Sequence, residues 1–503
     1  MSLPNVTFIK GQGGLGRVLP GEDYISGLIF YDATKPSGFS SGTSYVEKVL
    51  SLVDAENLGI VNTYTDETKT TATITVTASG ATGDTLLISI TDFTGTVDFG
   101  TYASAGLAIN AEATAIAAFI NAGNYSHGYT ATANTATVTI TAPAGKGIAL
   151  NSGTPLTTSG TLTHSKTQFA NGVASKLAQY HYQVSEYFRI QPNGTLWVMF
   201  SDVPSTYFAT EIATLQAAAE GKLRQVAIFA QAKTSIATGD ITAINNAVVA
   251  TETTFGVSLS VLYACDLMGT TNLNTLPDLS QLSANKVSVI ISQSMSGRGL
   301  YLQKTTNKSV PSLGACLGNV ALAKVSEDIA WVGAYNVSDG TECEVAGFAN
   351  NQTLSSISNA LLEQLNGFRY IFLRKFIGTN GTFWNDSNVA ISTSSDYAYI
   401  ENNRTIDKAI RVVRAALMPN LNSPLDLNSD GTLTDVTIAS WKGLSNFVLE
   451  NMFRNGELSA YSTEISAVQN VLSTSTINIV INIIPKGVAR NIVVTIGFKT
   501  KLG

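Results

Sequence analysis

The sequence predicts an α/β multidomain protein. Its parts are a largely parallel-sheet α/β body, an inserted β-rich (α+β) module and an α+β C-terminal domain, with strand arms at both ends. Three observations predict it. Between residues 166 and 395, apolar runs such as 195–200 and 226–229 alternate with amphipathic stretches, the pattern of parallel strands covered on both faces. From Thr65 to Ser165 the composition changes to Thr- and Ala-rich period-2 alternation, with Lys69 and Lys146 the only basic residues. Near the end, Ile477, Ile479, Ile481 and Ile483 alternate with Asn478, Val480 and Asn482, and a second alternating run follows.

In chain order, Val6, Phe8 and Ile9 read as a short strand followed by the glycine run Gly11, Gly13, Gly14 and Gly16. That run lacks the Gly-Lys-Ser/Thr ending of a phosphate loop, and Pro20 and Gly21 stand where its helix would begin. It reads as a hinge between that strand and the apolar run 24–31. Residues 1–30 therefore form the N-terminal arm and first strands, and 31–64 with 166–395 form the body. Within the body, 44–58 reads as a helix capped by Ser44.

The module 65–165 carries strands at 72–77, 87–90 and 136–140. Ile109, Ala113, Ile116, Ala117 and Ile120 add a helical stripe that Asn121-Ala122-Gly123 ends. After Gly172 the reading is a strand at 195–200, a helix capped by Ser205, a strand at 226–229 and a helix at 241–253. Strands at 259–264 and 286–292, a helix at 315–323, a helix at 355–365 and a strand at 370–373 follow. Phe383-Trp384 reads as part of a hairpin. The C-terminal domain, 396–484, opens with an amphipathic helix at 405–414 stopped by Pro419, and a second helix runs over 438–452. Pro485-Lys486-Gly487 then breaks the chain, with Gly487 as a hinge. The arm 485–503 carries Ile492, Val494, Ile496 and Phe498 on one side of a strand. A terminal strand this apolar is an aggregation hazard unless another strand pairs with it, and strand addition to a neighbour is one remedy.

Composition narrows the function. Of 503 residues 13% are charged, against about 25% in ordinary soluble chains, a bias that suits surfaces buried against other copies and that secreted β-proteins share. The net charge of −6 and the lack of a Lys/Arg run argue against nucleic acid as the main partner. No apolar stretch suits a signal peptide or a membrane span, so no membrane insertion is expected. Cys265, Cys316 and Cys343 have no metal spacing and read as buried thiols. Glu342 and Glu344 beside Cys343 make it a poor nucleophile. His127, His164 and His181 sit in no catalytic motif, and no GxSxG or HExxH occurs, so neither catalysis nor a cofactor is expected. Asp426, Asn428 and Asp430 with Gly431 match the first half of a calcium loop. Position 12 is Thr437, not Glu, and an Asx-rich turn leading into a helix is the plainer reading.

The opening Leu3-Pro4-Asn5-Val6-Thr7-Phe8 with its glycine run resembles the contractile-tail sheath proteins of bacteriophages. So do Thr405-Ile406-Asp407-Lys408-Ala409, Gly456-Glu457-Leu458-Ser459 and the final alternating strand. The resemblance implies six-fold rings stacked around an inner tube, with arms adding strands to sheets of neighbouring subunits. It also implies partners in the tube, baseplate and tail-terminator proteins and a place in the virion tail. The sheath of a phage-derived injection device is the same reading. A calcium-dependent surface adhesin is the alternative from another class.

Overall fold

The computed structural model describes residues 22–39, 45–202, 207–208 and 210–498. The body is built on a seven-stranded sheet. Its order is Tyr370–Ile371, Val287–Ile290, Ser260–Cys265, Gln225–Ala230, Ile25–Tyr31, Thr195–Ser201, Val46–Val49. Every neighbouring pair is parallel except the last, where Val46–Val49 runs antiparallel to Thr195–Ser201. Gln225–Ala230 and Ser260–Cys265 are buried at every residue, because helices cover both faces of the sheet.

Period 2 divides the sheet into two cores. Leu28, Phe30, Val198, Phe200 and Phe229 face the helices Leu177–Ile190 and Leu313–Leu322. Ile29, Tyr31, Val226 and Ile228 face Glu211–Ala218 and Thr238–Phe255. Each fully buried side chain of this kind contributes about 1.5–3 kcal/mol, so a one-residue slip of any central strand would exchange the two cores. On the first face Gly314 lies against the neighbouring helix, where an added Cβ would stand 2.0 Å from the Gln183 carbonyl oxygen.

Four local expectations change. The segment 44–58 is not one helix: Val46–Val49 is an edge strand, and the helix is Leu52–Asn57, capped by Ser51, whose Oγ accepts from the Asp54 amide. Pairing with Thr195–Ser201 outweighs the helical spacing there. Ser44 and Ser205 lie outside the described residues, and the helix expected from Ser205 spans Glu211–Ala218. The stretch 355–365 is a short turn, Leu354–Ser356, followed by a helix Asn359–Gly367 capped by Ser358. The strand at 370–373 divides, Tyr370–Ile371 joining the central sheet and Leu373–Arg374 pairing with Phe383–Trp384.

Two helices, Leu177–Ile190 and Gly297–Thr306, have no counterpart in the sequence reading. In Leu177–Ile190, the residues Leu177, Tyr180, Val184, Tyr187 and Phe188 form an apolar stripe at helical spacing against the first core, a signal that the sequence reading missed among the buried polar residues Gln179, His181, Gln183 and Glu186. Its start is also capped from afar: Asp66 Oδ2 accepts from the amides of Lys176 and Leu177.

The inserted module is a four-stranded sheet, a three-stranded sheet and the helix Ile109–Ala122 around a core of its own, including Ile74, Ile88, Ile90, Ile116, Ile120, Val138 and Ile140. Its last strand runs His164–Ala170. Threonines pair across strands, Thr73 with Thr167 at 2.7 Å and Thr75 with Thr137 at 3.1 Å. The module is seated on the body helix Gly297–Thr306. The Tyr301 hydroxyl donates to the Gly145 carbonyl, and the Ile148 amide to the Thr305 carbonyl.

The C-terminal part packs the helices Ile400–Leu417 and Asp435–Arg454 against an antiparallel hairpin, Leu458–Ile465 with Ile479–Pro485. Ala409, Leu449, Met452 and Leu458 form its small core, with Val412, Val413, Ile481 and Ile483 packed on it.

Candidate assembly surface

The C-terminal hairpin is a two-stranded sheet. Tyr461, Thr463 and Ile465 pair with Ile483, Ile481 and Ile479, and among the described residues neither strand has a second partner. Both outer edges therefore present unpaired backbone donors and acceptors. Ile479, Ile481 and Ile483 are thus committed within the chain along one edge. Any pairing they make with another subunit uses the opposite edge.

Beyond Pro485 the chain is neither helix nor strand and forms no sheet with any described residue through Phe498. Its apolar side chains stand in solvent: Ile492 is 81% exposed, Val494 70%, Ile496 90% and Phe498 110%. Val493 on the other side is 91% exposed. Gly487 has open space where a Cβ would lie and no positive φ, so this conformation does not itself require glycine there. Val6, Phe8, Ile9, Gly11, Gly13 and Gly14 lie outside the described residues.

Between the hairpin and this segment the chain is held by one side chain. Arg490 Nε donates to Asp386 at 2.9 Å, and its Nη2 donates to Glu401 at 2.6 Å and Asp328 at 3.2 Å. The guanidinium lies 3.4 Å over the Tyr399 ring. The three carboxylates come from a loop, a second loop 104 residues before Arg490 in sequence, and the first turn of Ile400–Leu417. Burial, then Glu401 and Asp386, push the Asp328 carboxyl up to about 7. Further along the same helix, Lys408 and Arg411 hold Asp23. Burial alone would raise the Asp23 carboxyl, but Lys408, Arg411 and Arg404 bring it below its usual value. Arg490, Asp23 and their partners were invisible to sequence reasoning, since nothing local pairs an arginine with carboxylates so distant in the chain.

The loop at 426–432 folds on itself. Asp430 Oδ1 accepts from the amide and hydroxyl of Thr432, which holds its carboxyl below the usual range. Asn428 Nδ2 donates to Thr432 Oγ1 and to the Leu433 carbonyl. The Asp426 carbonyl accepts from Thr434 and Thr437, and Thr434 caps the following helix. The three candidate calcium ligands thus build an Asx turn and a helix start. Chelation with EDTA is expected to leave the thermal melting curve unchanged, and a fall in Tm with EDTA that calcium restores would make the loop a cation site.

A cleft of about 530 Å³ lies beyond the carboxyl end of the first sheet strand, lined by Asp32, Lys35, Asp66, Lys176 and Tyr180 among others. Ligands of open α/β sheets bind in this position, where successive strands diverge to opposite sides. Here Asp32 is bonded to the Tyr180 hydroxyl and Lys176, and Asp66 caps the helix beside it. Its polar groups join the insertion point to the body. His181 is shared between Glu56 and Arg298, His164 bonds Thr158, and His127 packs on Phe99. Burial, then Glu186 and Glu342, push the Cys343 thiol up, in the direction expected from its acidic neighbours. Among the described residues, no group of three or more His, Cys, Asp or Glu is placed to hold a metal ion. Nor, among them, is any helix long and apolar enough to cross a membrane.

No curated protein matches the chain. Among solved structures it is similar to a chain of the anti-feeding prophage baseplate in the contracted state, at 12% identity and a TM-score of 0.44, over 64% of this chain and 84% of that one. It is also similar to the PVC sheath complex of an extracellular contractile injection system in the contracted state, at 12% identity and a TM-score of 0.41, over 64% and 81%. A sheath tail protein from Listeria innocua overlaps at 10% identity and a TM-score of 0.40, over 93% and 96%. The family model described as the DUF2586 N-terminal domain matches residues 3–388, and the model of the DUF2586 C-terminal domain matches residues 396–503. Together they take in almost the whole chain, which therefore belongs to the DUF2586 family.

Proposed function

We propose that this chain is the structural subunit of a contractile sheath, in a phage tail or in a phage-derived injection device. The observation that carries this reading is the pairing of an acceptor with a donor in one chain. The acceptor is a two-stranded hairpin and the donor an exposed apolar segment, Ile492 to Phe498; among the described residues neither edge of the hairpin nor the segment has a strand partner. A donor that cannot be satisfied at home is satisfied by a neighbour's hairpin, and a chain of such joints makes a lattice.

In this reading, subunits form stacked six-fold rings around an inner tube, capped by a baseplate and a terminator, in the tail of the particle. The likeness of both chain ends to bacteriophage sheath proteins supports it. Backbone hydrogen bonds between donor and acceptor do not depend on how the bodies pack, so the joints persist while the bodies rotate and slide. Work is then stored in the extended lattice and released on contraction, driving the tube through its target, with no catalytic step in the subunit.

Negative-stain microscopy of the purified protein tests the proposal. Long tubes or stacked rings are expected. A protein that remains monomeric at high concentration overturns it.

A further inference from the structure

We propose that Arg490 is a positioning residue that fixes where the C-terminal arm leaves the body. The inference rests on the sheath reading for its purpose but on the geometry alone for its truth. Among the described residues the arm has no sheet partner and the apolar side chains of 492–498 are exposed, so without an anchor it would sweep a wide volume from Pro485 onward. Arg490 prevents this. It inserts between Asp328, Asp386 and Glu401, whose side chains are 7%, 11% and 2% exposed, and stacks on Tyr399. Planar, multi-dentate contacts of this kind are specific to the guanidinium and fix its orientation as well as its position. Ser387 adds to the rigidity, donating to Glu401 and accepting from Arg490.

The mount itself is rigid. Glu401 lies in the first turn of the helix Ile400–Leu417, which also holds Asp23 through Lys408 and Arg411. Glu401 and Lys408 are about 10 Å apart along that helix, at 1.5 Å per residue. Hence the free part of the donor begins after Arg490, not at Gly487, and its starting point is set by the body. A strand launched from a fixed point meets its acceptor at a higher effective concentration than one on a loose tether.

Charge also makes the mount respond to pH. The groups facing Arg490 are Asp328, Asp386, Glu401 and the Tyr399 ring, with Arg404 acting on Glu401 from the same helix. Docking Arg490 favours ionised Asp328, so docking tightens as pH rises through about 7 and loosens in acid.

The test places nitroxide labels at Leu421→Cys and Ala489→Cys, beside the anchor, in the full chain; both sites are exposed and the native cysteines are buried. A narrow distance distribution is expected, broadening in Arg490→Ala and between about pH 8 and pH 6. Arg490→Ala/Glu401→Gln, which relieves the uncompensated charge, broadens it equally and guards against a folding defect. Asp23→Asn, which cuts an ion pair of the same helix away from the arm, leaves it narrow. A broad distribution in the parent, an unchanged one in both Arg490 variants, or equal broadening in Asp23→Asn overturns the assignment. Tube formation by the parent reports on the sheath reading separately, so a narrow, Arg490-dependent distribution in a chain that never assembles leaves this inference standing and removes the other.

Discussion

Deleting residues 492–503 is expected to leave a folded monomer that no longer polymerises. Among the described residues, 492–498 make no sheet pairing and Ile492, Val494, Ile496 and Phe498 are exposed, so folding loses almost nothing. Arg490 and its carboxylates remain. In the proposed sheath, assembly loses its donor. Burying Ile492, Val494, Ile496 and Phe498 against a neighbour contributes about 6–12 kcal/mol per joint, at about 1.5–3 kcal/mol per side chain, before the cost of ordering the segment. No lattice survives loss of that contribution at every joint. Circular dichroism melting should match the parent, and sedimentation and negative-stain images should show monomers only. Normal tubes from the truncated chain would show that some other surface joins the subunits.

The second large effect is on folding. Gly314→Ala is expected to destabilise the body by about 3 kcal/mol. Two effects compete. Alanine is the better helix former by about 1 kcal/mol, and at an exposed helical position it would stabilise. At Gly314, however, the new Cβ would lie 2.0 Å from the Gln183 carbonyl oxygen and 2.8 Å from its carbon, which are backbone atoms of the adjoining helix. A rotamer change cannot relieve a clash with backbone, so Leu313–Leu322 must move away from Leu177–Ile190. That movement loosens contacts of Tyr187, Leu317 and Val320 in the first core. Gly318, where a Cβ would lie 2.8 Å from Ile190 Cβ, belongs to the same close approach. The urea midpoint should fall with the m-value unchanged. A midpoint equal to the parent's would show that the two helices are not in register as described.

Much of the fold was legible in the residues. The buried runs at 195–200, 226–229 and 259–264 became central strands because an apolar run with no polar face has only one stable place, between two covering layers. The helices at 241–253 and 438–452 appeared within a few residues of their expected ends, because amphipathic spacing is a local property. The Thr-rich alternation of the module became sheets for the same reason.

What was not legible depended on distant partners. Val46–Val49 carries helical spacing but is claimed by the edge of Thr195–Ser201. The start of Leu177–Ile190 is capped by a carboxylate more than a hundred residues earlier, and the helix's polar residues are satisfied in the interior rather than in water. The same division holds for the candidate assembly surface. The period-2 alternation of the last strand, and its need for a partner, follow from the sequence by itself, because side chains alternate across any extended chain. That Ile479 to Ile483 already pair along one edge, that both outer edges of the hairpin lack a partner among the described residues, and that Arg490 ties the arm to Asp328, Asp386 and Glu401 were decided only by the tertiary structure. Strand pairing and ion pairs join residues by position in space, and no local pattern of residue types encodes which distant carboxylate an arginine will meet.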